Sequence, residues 1–220
     1  MFILLRQHLR LYFALEEGRD MSINPRTQKI LKMVELAMLV ALVIVLQMLG
    51  SFIKIGPLPM SFVLVPIVIG AAMLGPIAGL WLGFIFGLVV IVTGQAAAFY
   101  AFGVVQTVIV VLLKGALAGL VSGIFYKMIE KKNSLAAIIT SSILCPVVNT
   151  AIFTLASFTI FFPGIKGWAT GAGADMISFV FLTLIGANFF VELGICLVFS
   201  TVAHRIILIG KKMRNDKSYI

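Results

Sequence analysis

Six apolar runs separated by short breaks set the pattern of this chain: Val34 to Ile53, Met60 to Leu74, Ile77 to Thr93, Val104 to Ile129, Leu135 to Phe162 and Ile177 to Ile207. A bilayer core takes about 20 apolar residues as helix, so the runs predict membrane-spanning helices. The second and third runs are short. Gly75-Pro76 between them is a turn signal, which predicts a tight helical hairpin rather than one long span. Gly56, Pro57 and Pro59 punctuate the first connection, and Pro163, Gly164, Gly167, Gly171 and Gly173 mark the longest one. The expectation is an all-α integral membrane protein, a six-transmembrane-helix bundle.

Residues 29–212 form the membrane domain in this reading, with a cytoplasmic amino-terminal segment at 1–28 and a cytoplasmic tail at 213–220. Within the first segment, Arg6 and Arg10 flank Leu9, Leu11, Tyr12 and Phe13, and Glu16, Glu17 and Asp20 follow. That composition predicts an interfacial helix, unless Met21 is the true start. Arginines interrupt its apolar stretch and no small-residue cleavage site follows, so a signal peptide is not expected.

Composition agrees with the pattern. Of the 220 residues, 61% are hydrophobic and 11% charged, and the mean hydropathy is +1.16, far beyond the roughly half-apolar average of soluble domains. The formal net charge of +9 invites a nucleic-acid reading, but the basic residues do not form a continuous surface. Six Lys and Arg lie in the amino-terminal segment, three in the loop after the fourth run and five from Arg205 onward. The other side of the bundle has only Lys54 and Lys166. By the positive-inside rule both termini are cytoplasmic. Cys145 and Cys196 lie inside apolar runs, where a thiol acts as a small hydrophobe.

Small residues recur at spacing four. Ala37 and Ala41 form such a pair in the first run. Gly75, Gly79, Gly83 and Gly87 continue the spacing through the hairpin, as do Gly115, Gly119 and Gly123 in the fourth run. Two small residues four apart leave a groove in which another helix approaches closely.

Ionisable groups within hydrocarbon are costly and call for a named partner. Lys114 and Glu192 fall near the middle of the fourth and sixth runs, with Asn149 at the same depth in the fifth. One reading makes Lys114 and Glu192 a buried pair that fixes helix register. The other makes Lys114 the seat of an anionic solute group, with Glu192 or Asn149 orienting a hydroxyl or amide. Nearer the outer face lie Gln106, Thr107, Thr183, Asn188 and the segment Gln95 to Phe102, which includes Phe99 and Tyr100. Polar side chains converging from several helices beside aromatic rings are what a cavity for a small polar molecule needs. The candidate solute ligands are thus Lys114, Asn149, Asn188, Glu192, Gln106, Gln95 and Tyr100. His204 sits beside Arg205 at the cytoplasmic end and is left outside the site.

No phosphate-binding loop, metal-spaced His/Cys cluster or nucleophile with a base is evident, so an enzyme is not expected. No inverted repeat is evident either, which argues against a complete alternating-access transporter.

The first run's Ala37-Met38-Leu39-Val40-Ala41, the hairpin PLPMSFVLVPIVIGAAMLGPIAGLWLGFIFGLVV and the fourth run's LLKGALAGLVSGIFYK resemble the substrate-specific S components of bacterial energy-coupling factor (ECF) vitamin importers. The resemblance spans about Lys29 to Lys212, through individually loose, glycine-rich motifs. It implies a multi-pass protein of the bacterial plasma membrane that binds one vitamin or related micronutrient. It further implies a coupling transmembrane subunit that packs on Ala37 and Ala41, and two ATP-hydrolysing subunits. No cofactor is implied in this chain, since those partners use the ATP. The overall pattern is most similar to the pantothenate-type branch, with riboflavin, cobalamin and folate open. Two other readings remain: a self-sufficient small transporter or channel built on Lys114, Glu192 and Asn149, and a structural membrane subunit with no solute.

Overall fold

A computed structural model describes residues 25–52, 54–55, 58–59 and 62–216. The expectations for Met1 to Asp20 and for Met21 as a start lie outside the described residues.

The first helix, α1 (Pro25–Gly50), leads to a two-residue antiparallel pair of β1 (Lys54–Ile55) and β2 (Leu58–Pro59), Lys54 facing Pro59. This pair is a small exception to the all-α expectation. It lies in the connection whose glycine and prolines had marked a break. Two short apolar helices follow, α2 (Leu64–Leu74) and α3 (Pro76–Val92). Gly75 separates them at φ +105, a conformation that side chains rarely adopt, and Pro76 opens α3 where its missing N–H is harmless.

A 3-10 helix (Ala97–Phe102) precedes α4 (Val104–Ile129). Next comes α5 (Ser134–Phe158), whose N-cap Asn133 accepts hydrogen bonds from the Leu135 and Ala136 N–H groups at 3.0 Å each. A short helix, α6 (Phe162–Gly171), occupies the long connection that its prolines and glycines had marked as a break. Gly164 serves close approach, since a Cβ there would collide with the Phe102 ring. The last rod begins as α7 (Met176–Ser178), widens into a π-helical stretch (Phe179–Gly186) and continues as α8 (Ala187–Asp216). Asp175 caps its start, and hydrogen bonds from the Ser178 hydroxyl and N–H hold the Asp175 carboxyl below the usual range.

Four of these stretches are long and apolar enough to cross a membrane: Gln28–Gly50, Val104–Ile129, Ser134–Phe158 and Met176–Ile209. At 1.5 Å per residue, α2 is about 16 Å long and α3 about 26 Å, against a core of about 30 Å. The hairpin is therefore shorter than a full pair of spans. Its turn lies at the end of the bundle where α4 finishes, because Lys127 near the end of α4 reaches to 3.5 Å from where a Cβ of Gly75 would lie.

The closest seam is α3 against α4. A Cβ on Gly83 would collide with the Gly115 carbonyl, one on Gly119 with the Gly79 carbonyl, and one on Gly87 would lie 2.9 Å from the Val111 carbonyl. The glycine spacing of four is thus the contact surface itself. A second clasp joins α4 to α5, where Ser122 Oγ donates to the Ser141 carbonyl at 3.2 Å and Ser141 Oγ donates back to Ser122 at 2.9 Å. The apolar core divides into a cluster around Ile67, Leu82, Phe86 and Tyr126, and a second of Phe99, Phe161, Ile165 and Leu184 that closes the α6 end. Between them the helices part.

Candidate functional site

The space between the two clusters is a cavity of about 760 Å³, its open mouth included. Helix phase decides which residues reach it. On α4, Thr107, Val110, Val111 and Lys114 fall at i, i+3, i+4 and i+7 and form one inward stripe. Asn149, Thr150 and Phe153 supply the α5 wall. Leu184 and Ile185 come from the π-helical stretch, and Asn188, Phe189 and Glu192 follow on α8. π-helical widenings inside α-helices are frequent at functional sites.

Among the described residues Lys114 brings the only Lys or Arg side chain to the wall, and its ammonium sits 5.6 Å from the Phe153 ring centroid and 5.9 Å from that of Phe86. Ring faces attract the charge but offer no lone pair to its three N–H donors. Glu192, 4% exposed, lines the same cavity, and the opposite charges of the two residues attract each other. Asn149 is 5% exposed, and its side-chain oxygen is buried with no hydrogen-bond partner. Thr107 is bound locally, its hydroxyl donating to the Gly103 and Phe99 carbonyls at 2.8 and 3.0 Å.

The structure thus brings Lys114, Asn149, Asn188, Glu192 and Gln95 to one cavity. It leaves Gln106 and Tyr100 off its wall. Gln106 is exposed, one position out of phase with Thr107, and its amide folds back over Gly103. Tyr100 is half-buried and packs against the first apolar cluster. Thr183 is exposed on the outer side of the π-helical stretch. Ala37 and Ala41 lie on an exposed face of α1, away from the cavity. His204 lies far along α8, also off the wall.

Sequence reasoning passed over an aromatic set and one amide. Phe86, Phe153, Phe161 and Phe189 line the cavity, and phenylalanine in an apolar run carries no signal of that role. Gln47 is fully buried in α1. Its Nε2 donates to Gln95 Oε1 at 2.6 Å, and Gln95 Nε2 donates to Thr93 Oγ1 at 2.9 Å. A lone glutamine deep in an apolar run was the available signal. The bond ties α1 to the cavity wall.

Comparison with known proteins bears on this arrangement. No curated protein sequence matches the chain. Among solved structures, ThiT from Listeria monocytogenes is similar, with a TM-score of 0.53 and 20% identity over 87% of this chain and 98% of that one. At that identity the likeness concerns the fold. A family model described as the ECF transporter substrate-specific component matches residues 31–203. The matched stretch begins in α1, ends in α8 and contains every wall of the cavity, and the chain belongs to the substrate-specific component family of ECF transporters.

Proposed function

We propose that this chain captures a water-soluble vitamin or related micronutrient in the cavity between α4, α5 and α8, and delivers it to an importer whose other subunits hydrolyse ATP. The observation that carries the reading is the cavity itself. A lysine ammonium, a carboxylate and an unpartnered amide oxygen converge from three helices among aromatic rings, the composition of a small-molecule site. Membership of a transporter family turns that site toward uptake.

Pantothenate is the first candidate, since its carboxylate suits Lys114 and its hydroxyls and amide suit Asn149 and Glu192. Riboflavin, folate and cobalamin follow. Lys114, Asn149, Asn188, Glu192 and Gln95 are the proposed contacts. The exposed α1 face with Ala37 and Ala41 is the proposed seat of the coupling subunit.

All six apolar helices cross the bilayer of a bacterial cell in this reading, the short hairpin included, and both termini are cytoplasmic. The turn at Gly75 shares an end with Lys127, and the basic turn of Lys131 and Lys132 follows α4 at that end, which supports the orientation. This chain needs no cofactor of its own.

The test is thermal unfolding of the detergent-purified chain against single B vitamins. A ligand at 100 times its dissociation constant stabilises by about 2.7 kcal/mol, so one vitamin is expected to raise the midpoint clearly. Indifference to all of them would contradict the proposal.

A further inference from the structure

Three features of the cavity wall limit the chemistry of the solute, and the argument rests on the solute-binding reading above. The first is Lys114. Its ammonium is already seated over the Phe86 and Phe153 rings, and its charge repels a cationic solute. Its N–H donors need a lone pair, and a charged acceptor makes the stronger bond.

The second is Asn149. A buried carbonyl oxygen without a donor is an unmet requirement for an O–H or N–H group. Asn149, 5% exposed, lines the cavity on the helix facing Lys114. A solute that fills the cavity without a donor there leaves the oxygen unpaired. The third is Glu192, also on the wall, which accepts donors and repels a second anionic group.

We infer that the solute is a small organic acid with one anionic group, bound at Lys114, and at least one hydroxyl or N–H donor, bound at Asn149 Oδ1. Lys114 disfavours cations, Glu192 disfavours polyanions such as phosphate esters, and Asn149 disfavours acids without a donor. A neutral vitamin loses the Lys114 contact and binds more weakly than its acid counterpart.

The experiment is titration calorimetry on the full-length purified chain with matched solutes. Pantothenate is set against its alcohol panthenol, and biotin against biotinamide. Nicotinate serves as an acid without a donor and thiamine as a cation. At least one donor-bearing acid is expected to bind, with its neutral partner weaker by at least about tenfold, the loss typical of one hydrogen bond to a charged group. Nicotinate and thiamine are expected to bind weakly. In Lys114→Met the advantage of the acid over its neutral partner should vanish. The comparison on the unaltered chain needs no variant to fold. A neutral partner or thiamine binding as tightly as any acid would overturn the inference while keeping the solute-binding reading. Binding of none would remove both.

Discussion

The carbonyl oxygen of Asn149 is buried with nothing to accept from, a condition that costs about 1–3 kcal/mol. In the proposed reading, a donor on the solute relieves that cost. Replacing Asn149 by leucine removes the orphan while keeping similar bulk. The expected result is a higher unfolding midpoint without solute and loss of the midpoint shift that a bound vitamin produces. A lower midpoint without solute would assign Asn149 to structure instead. This residue was legible in the sequence because an amide halfway along an apolar run is conspicuous. Gln106 was equally conspicuous, yet it turns outward. Its neighbour Thr107 shares the i, i+3, i+4, i+7 stripe with Lys114, and that phase relation distinguishes the two. The phenylalanines of the wall carried no such mark, since in a membrane helix the same residue faces lipid, core or ligand.

At the scale of elements, small residues set the architecture. The α3 and α4 backbones meet through Gly83 and Gly115, with no room for a Cβ between them. Gly83→Leu is expected to destabilise the chain by about 3 kcal/mol, the upper range for overpacking, because backbone rather than a flexible side chain stands in the way. Gly194→Ala in α8 is the control. A Cβ there meets nothing within 4 Å, and the substitution should be neutral or slightly stabilising. Thermal unfolding of both variants checks the pair, and equal midpoints would contradict the packing account. The element borders from Val104 to Ile129 follow the apolar run closely. The helix at Phe162–Gly171 was hidden because two of its features, Pro163 at its start and glycines along its length, usually signal a break. Tertiary contact overrides them: Ile165 and Ala169 are buried, and Trp168 packs on Phe102 at 4.6 Å between ring centroids. The widening at Phe179–Gly186 was likewise invisible to hydropathy, which does not register a change of helical pitch.

Across the whole molecule, one polarity runs through the bundle. The Gly75 turn and the basic residues after α4 mark one end, while the cavity sits toward the end closed by the 3-10 helix and α6. Gln47, hydrogen-bonded to Gln95, joins the helix with the exposed alanine face to the wall of that cavity. The family relationship makes the chain the substrate-specific component of an ECF transporter. The account's central claim is that the chain selects the solute and that other subunits drive its entry. The most direct test is accumulation of the radiolabelled vitamin that shifts the unfolding midpoint, in proteoliposomes holding either this chain alone or this chain with the coupling and ATP-hydrolysing subunits. The account predicts binding in both and ATP-dependent accumulation only in the second. Accumulation by the chain alone would contradict it and establish a self-sufficient transporter.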